Sequence, residues 1–340
     1  MYEEVKKKLQ ENPLTWLITG AAGFIGSNLV EALLNLNQKV VGVDNFFNGL
    51  PQNLEEIEKS VGVEKWKNFK FIEGDITDLG VCHTVCEGVD YVLHQAAVGS
   101  VSRSIKDPLF SQKSNDLGFM NMLVASRDAK VKRFVFAGSS SIYGDSQYLP
   151  KIEGKIGNLL SPYAVTKYVG ELYADVFSRC YGTEYVGLRY FNVFGKRQRP
   201  DSEYSAVIPK WIKQLMKGEP IVIYGDGETG RDFCFVENNI QANILAATTK
   251  NPEAVNQIYN IAVGDSTTLN ELFNALQEEL QKISGTAQKN VPVYQDFRQG
   301  DIRHSQADIS KAKKLLDYDP EYKIREGLRL AMNWYFEKLK

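Results

Sequence analysis

The sequence predicts an α/β fold: a doubly wound parallel sheet with a smaller α/β lobe at the C-terminal end. Three observations carry that reading. Short β-rich runs alternate with longer helical patterns through roughly the first 195 residues. Several of those runs are nearly continuous in Val, Ile, Leu, Phe and Tyr, as strands covered on both faces are. From about Gly195 onward the alternation loosens, with loop-forming stretches at Lys196 to Glu203 and Gly225 to Gly230 and a polar stretch at Ser284 to Asn290. The expected division is a Rossmann-like domain over 1–195, with an N-terminal helical extension, and a smaller lobe over 196–340. Segments are expected to exchange between the two.

The elements follow in order. An amphipathic helix opens the chain with Tyr2, Val5 and Leu9 on one face. The first strand is expected at Leu14 to Thr19, and a glycine-rich turn leads from it into a helix through about Leu36. Further strands are expected at Lys39 to Asp44, Phe69 to Asp75, Val89 to Ala97, Arg133 to Ser139 and Glu184 to Phe194. Helical connections of this length join parallel neighbours by right-handed crossovers.

Composition excludes several functions. A formal charge of -2 and a pI near 6.1 provide no concentrated basic field for nucleic acid or an anionic membrane surface. The run Lys6-Lys7-Lys8 is flanked by Glu3, Glu4 and Glu11 and reads as a solvated helix face. No apolar stretch reaches the roughly 18 residues a membrane span needs, and no signal-peptide pattern is seen, so a cytoplasmic protein is expected. Cys82, Cys86, Cys180 and Cys234 lack disulfide-framework or CxxC spacing and read as reduced thiols. His83, His94 and His304 are scattered, and no metal site is expected.

The first strand runs into Thr19-Gly20-Ala21-Ala22-Gly23-Phe24-Ile25-Gly26. Glycines there permit a sharp turn and bring backbone N–H groups close to a pyrophosphate at a helix N-terminus. The second strand ends at Asp44, 18 residues beyond Gly26, where a carboxylate accepts hydrogen bonds from ribose hydroxyls. The following Asn45-Phe46-Phe47-Asn48-Gly49 holds no Arg or Lys for a 2′-phosphate, so NAD is expected rather than NADP. Asp75 and Ile76 end the third strand where an adenine edge would lie. Gln95, Ala96 and Ala97 end the fourth, where small residues let a cofactor approach.

Gly138-Ser139-Ser140-Ser141 ends the fifth strand, and Tyr163 and Lys167 follow on a helix. Four helical residues advance about 6 Å and return to nearly the same face, so the phenol and the ammonium address one cavity. A phenol titrates near 10 and is a poor base at neutral pH. An adjacent ammonium and the positive charge of an oxidised nicotinamide both favour its phenolate. Lys167 would also reach the nicotinamide ribose, and a serine across the pocket would share the reacting proton.

TGAAGFIG, DNF, GDI, HQAA, SSSIYG, SPYAVTK and LRYFNVFG together span most of the chain. In that order and spacing they resemble the extended short-chain dehydrogenase/reductases that act on nucleotide sugars. The nearest resemblance is to UDP-hexose 4-epimerases, in particular the UDP-N-acetylglucosamine 4-epimerases of bacterial surface-polysaccharide pathways. The resemblance implies a catalytic set of Ser139, Tyr163 and Lys167, with Ser140 and Ser141 as possible substitutes for the serine. It implies that Tyr163 takes the proton of the sugar C4 hydroxyl as hydride passes to tightly held NAD, and that the 4-ketosugar turns over and is reduced on its other face. It further implies a UDP-sugar site at Asn192, Tyr224, Arg231, Arg298, Asp301 and Ser305, with the arginines on the diphosphate, and a homodimer formed through helices of the larger domain. Related dehydratases and decarboxylases carry acids near the catalytic serine. This chain has none between Ser139 and Tyr143.

Three departures from the UDP-galactose 4-epimerase pattern bear on the substrate. Ser305 stands in the place of a tyrosine, Ala206 in the place of an asparagine, and Gly99 in the place of a lysine. The first two remove bulk, and a sugar bearing an N-acetyl group at C2 needs that room. A uronic-acid substrate is the enzymatic alternative, with Arg103 or Arg303 supplying positive charge. A non-catalytic NAD-binding sensor would not need the base set.

Overall fold

The computed structural model describes residues 1–199, 206–285, 290–297 and 303–339. Seven parallel strands form the central sheet. Six come from the first 195 residues: β1 (Thr15–Thr19), β2 (Lys39–Asp44), β3 (Phe69–Glu73), β4 (Tyr91–His94), β5 (Arg133–Ser139) and β6 (Tyr185–Tyr190). The seventh, Gln257–Ile261, pairs with β6, and the spatial order is seventh-β6-β5-β4-β1-β2-β3. The order reverses between β1 and β4. In open sheets of this kind a crevice forms there, outside the carboxyl ends of the strands, and receives ligands.

Side chains alternate across the sheet. Trp16 and Ile18 of β1 join one core with the helix Val236–Thr248, whereas Leu17 joins another with Phe134 and Phe136 of β5. A third core surrounds Trp211, Phe273 and Tyr335 in the C-terminal part. All six residues of β6 are buried, as the apolar-run argument requires of an interior strand. The opening helix α1 (Tyr2–Glu11) buries Leu9. Gln38 fastens it: its amide nitrogen donates to the Leu9 and Leu36 carbonyls at 2.7 Å each, and its oxygen accepts from Leu14 N and Trp16 Nε1. Every polar atom of this fully buried side chain is therefore satisfied.

Some elements depart from the sequence expectation. β4 stops at His94 because the Thr19 hydroxyl, and not a neighbouring strand, accepts from the backbone of Gln95 and Ala96. The sixth run breaks at Asn192, whose φ of 32° lies in the left-handed region, and Val193–Phe194 pairs with Cys234–Phe235 instead. The seventh strand was not anticipated. Its sequence, Gln-Ile-Tyr-Asn-Ile, mixes two amides into an apolar run, and Asn260 is paid off by the Tyr143 hydroxyl and the carbonyls of Lys151 and Asp308.

A buried junction ties the chain beyond residue 195 to the helix that follows β1, α2 (Phe24–Asn35). Arg197, 3% exposed, donates to Glu31 at 2.7 Å, and Lys196 reaches the same carboxylate. Tyr335 exchanges hydrogen bonds with both backbone groups of Gly195.

Candidate active site

At the β1/β4 crevice a cleft of about 560 Å3 opens along the carboxyl ends of β1, β2, β3 and β4. Its wall holds every position read from the sequence at the strand ends: Gly20, Gly23, Phe24, Ile25, Gly26, Asp44, Asn45, Asn48, Gly49, Asp75, Ile76, Gln95, Ala96 and Ala97. Val43, Phe47, Gly74, Val98, Gly99, Phe110 and Ser114 complete it. The rings of Phe47 and Phe110 meet in a tilted contact, their centres 4.9 Å apart, which joins segments distant in sequence and which no local pattern announces.

The turn after β1 is shaped by close backbone packing. Gly20 has φ 69°, and a Cβ there would stand 3.0 Å from Ala96 N; one on Gly26 would stand 2.0 Å from the Gly20 carbonyl oxygen. Only glycine lets the N-terminus of α2 sit this close to the turn. Asp44 accepts from Ala22 N at 3.0 Å and Phe46 N at 2.8 Å, and burial pushes its carboxyl above the usual range against those bonds. Asn45 donates to Asp75 at 2.9 Å, linking the ends of β2 and β3.

Beneath the cleft, the Thr19 hydroxyl lies 2.9 Å from His94 Nδ1 while accepting from Gln95 N and Ala96 N. With both lone pairs used, it donates to the ring, which fixes a neutral Nε2–H tautomer. Burial, with Lys167 nearby, pushes the His94 pKa down to about 3 and keeps the ring uncharged. Gln95 is held from behind, since its amide donates to Asn243 and its oxygen accepts from Tyr190.

Ser139, Tyr163 and Lys167 come together at the end of β5. Ser161 caps the helix Pro162–Tyr181 by accepting from Ala164 N, with Pro162 at the first helical position. Tyr163 N donates to Ser104 at 3.0 Å, and Asn115 bridges Val98 in the cleft wall to Thr166 on this helix. Lys167 Nζ donates to the Ala137 carbonyl at 2.9 Å and lies 5.9 Å from the centre of the Tyr163 ring. Ser139 Oγ accepts from both the amide and the hydroxyl of Ser141. That leaves its own proton free to turn toward Tyr163, whose phenolate Ser139 favours. Tyr163 and Lys167 stand beside the cleft and are not among the residues of its wall.

The electrostatics refine the sequence reading. Burial pushes the Tyr163 phenol up, and the hydrogen bond from Ser139 pulls the other way. Burial also lowers Lys167 to about 8. In the protein alone, then, the lysine does not bring the phenol into the neutral range, because desolvation penalises the charged form of each partner.

In the C-terminal part, Gly230–Arg231 pairs with His304–Ser305, which sets Arg231 beside Ser305. Asp232, fully buried, accepts from Val263, Gly264 and Ala307 amides and so anchors this strand; burial raises its pKa to about 6. Asn192 donates to the Asp232 carbonyl at 3.1 Å. Tyr224 ends a strand paired with Val293–Gln295, and Ala206 is exposed at the start of the helix Val207–Lys217. Arg298 and Asp301 lie outside the described residues.

Residues 16–262 match the model of the NAD dependent epimerase/dehydratase family. The chain belongs to that family. Three solved structures show the likeness across the whole length. A UDP-N-acetylglucosamine 4-epimerase of Methanobrevibacter ruminantium, in complex with UDP-N-acetylmuramic acid, is 37% identical with a TM-score of 0.86, over 96% of this chain and 99% of that one. The Thermotoga maritima UDP-glucose 4-epimerase with UDP-glucose is 34% identical at 0.85, over 96% and 100%. The Bacillus cereus UDP-glucuronic acid 4-epimerase, with UDP-glucuronic acid and NAD, is 33% identical at 0.83, over 96% and 100%.

NAD is the cofactor of this epimerase family. The cleft fits it: the tight turn of Gly20, Gly23 and Gly26 lines the wall at the N-terminus of α2, where backbone N–H groups favour a pyrophosphate, and the Asp44 carboxylate stands in the same wall while the 45–49 segment itself carries no Arg or Lys. Among the described residues no cluster of His, Cys, Asp and Glu could hold a metal ion, all four cysteines are free, and no helix is long and apolar enough to cross a membrane.

Proposed function

We propose that the protein is a UDP-N-acetylglucosamine 4-epimerase that forms UDP-N-acetylgalactosamine through a 4-keto sugar and also takes UDP-glucose and UDP-galactose. The observation that carries the reading is the convergence of Ser139, Tyr163 and Lys167 at the end of β5, next to the dinucleotide cleft. Bound NAD supplies reversible hydride acceptance and a positive charge. Tyr163 is the base that takes the C4 hydroxyl proton and later returns it. Ser139, whose proton is directed outward, shares that hydrogen bond, and Ser140 and Ser141 do not replace it. Lys167 holds the phenolate. The 1–195 part binds the cofactor and the 196–340 part the UDP-sugar, with Tyr224, Arg231, Arg298 and Asp301 of the latter, joined by Asn192 of the former, on the nucleotide and diphosphate. Guanidinium suits the diphosphate because its planar donors meet phosphate oxygens at two points.

Ser305 and Ala206 support the acetylated sugar, since neither side chain takes up the room an N-acetyl group needs. The arginines named for a uronate have other contacts with which a sugar carboxylate would compete: Arg303 pairs with Asp226, and Arg103 donates to Asn48. A homodimer in the cytoplasm completes the proposal. Val165, Leu172 and Val176 form an exposed apolar stripe on the Tyr163 helix, a surface a second copy would cover.

The test is a panel of UDP-sugars followed by chromatographic separation of the C4 epimers. Conversion of UDP-N-acetylglucosamine is expected; turnover of UDP-glucuronate alone overturns the substrate assignment. In Tyr163→Phe the rate is expected to fall about 10²- to 10⁴-fold with NAD retained. An unchanged rate removes Tyr163 from the mechanism.

A further inference from the structure

A buried ion pair stands one helical turn from Lys167. Glu171 lies four residues further along the same helix, and its two oxygens accept from Arg189 Nε at 2.8 Å and Nη2 at 2.7 Å. Both side chains are nearly closed to solvent, 6% and 4% exposed. The third guanidinium nitrogen donates to the Glu153 carbonyl at 2.9 Å, and the guanidinium plane lies 5.0 Å from the Tyr143 ring centre. Arg189 is on β6, directly opposite Gly138 of β5. The carbonyl that accepts from Lys167 belongs to Ala137, one residue before Gly138, and Ser139 is one residue after. Lys167 and Glu171 thus press the same helix face against the same two strands, at neighbouring registers.

An unpaired carboxylate at Glu171 would stand one helical turn from Lys167 in a region of low dielectric, where opposite charges attract strongly. It would draw the ammonium off the Ala137 carbonyl and away from Tyr163. Its charge would also oppose the phenolate, since like charges disfavour each other's ionisation. We propose that Arg189 is a positioning residue: it sequesters the Glu171 carboxylate so that the Lys167 ammonium serves Tyr163. This rests on the reading of Tyr163 and Lys167 as the base pair. Other charged or titratable groups surround the pair: the Tyr143 hydroxyl lies beside Arg189, and the Glu153 carboxylate, which accepts from Asn260 N, lies near Tyr143 and Lys311. His94 on β4 faces Lys167 and is neutral. Tyr185 on β6 and Lys311, whose ammonium donates to Gln257 and the Ile258 carbonyl, face Glu171.

The test compares Arg189→Met, Glu171→Gln and the double variant Arg189→Met/Glu171→Met, each purified with its NAD content measured. Steady-state rates are taken across pH with the best substrate of the panel. In Arg189→Met, kcat is expected to fall about tenfold or more and its acid limb to move to higher pH, with KM and NAD content unchanged. In Glu171→Gln the unpaired guanidinium favours the phenolate, so the acid limb moves to lower pH. The double variant returns the limb to its wild-type position, because an apolar pair can replace a buried ion pair at little cost. Should Arg189→Met fail to fold, the other two variants still carry the test. Acid limbs that coincide in all the folded variants overturn the proposal and reduce the pair to a structural tie. Wild-type rates in Tyr163→Phe would show that the underlying base assignment had failed instead.

Discussion

Gly26→Ala is the sharpest probe of the cofactor turn. The new methyl carbon would be placed 2.0 Å from the Gly20 carbonyl oxygen and 2.7 Å from its carbon. Carbon and oxygen in contact sit about 3.3 Å apart, so the gap must open by about 1.3 Å. Neither side can retreat easily. Gly20 is backed by Ala96, whose nitrogen is 3.0 Å from where a Gly20 Cβ would be. The helix α2 has Leu29, Val30, Leu33 and Leu34 fully buried against the sheet. Forced overpacking of this kind costs about 1–3 kcal/mol of stability. Displacing the helix N-terminus by about 1 Å should cost about 100-fold in turnover by misplacing the bound dinucleotide. The assay is NAD released on denaturation per mole of purified protein, together with epimerisation rate and thermal midpoint. Gly154→Ala is the control, since a Cβ there meets nothing within 4 Å. Full NAD content at wild-type rate in Gly26→Ala would refute the reasoning.

Two further perturbations probe the junction between the halves. Burial raises the Glu31 carboxyl, but Arg197 and Lys196 more than reverse this and hold it at about 2 instead of 4.5. A folded-state pKa below the unfolded one gives stability that is full above about pH 4.5 and is lost as the pH falls toward 2. At about 1.4 kcal/mol per pH unit the contribution is about 3 kcal/mol. Urea unfolding of wild type should therefore steepen over that range and Glu31→Gln should be flatter; equal slopes would count against the ion-pair account. Tyr335→Phe leaves the buried Gly195 N–H and C=O without their hydroxyl partner. The denaturation midpoint should drop by the equivalent of about 1–3 kcal/mol at constant m-value, and an unmoved midpoint contradicts the assignment.

Much of this architecture is visible in the chain itself, and the reasons differ by region. β2 and β5 fall on the residues that apolar continuity marks, because a strand covered on both faces admits few polar residues. The wall of the cleft is legible because each parallel strand ends at the same edge of the sheet, so residues such as Asp44 and Ala96 are placed there by topology once the strands are known. Phe47 and Phe110 escaped notice since their contact depends on the docking of separate segments, and aromatics in loops carry no periodic signal. The seventh strand was hidden by its two amides, which only the surrounding carbonyls and Tyr143 make tolerable. Past residue 195, the seventh strand apart, the pairing units among the described residues shrink to two or three residues, as at Gly230–Arg231 and Val293–Gln295, and such short runs contain no period to read. Electrostatics are the least legible of all: YxxxK spacing gives the proximity of Tyr163 and Lys167, whereas the desolvation that opposes ionisation of both is a property of the folded surroundings.

The late arrival of the seventh strand and of Asn243 has a consequence for synthesis. Gln95 in the wall of the cleft leans on Asn243, 148 residues downstream, and β6 gains its outer neighbour only when Ile261 has been made. At about 5–20 residues per second a ribosome needs several seconds to pass from Tyr190 to Ile261. Throughout that interval the outer edge of β6 is bare, until the chain's own later portion closes the sheet.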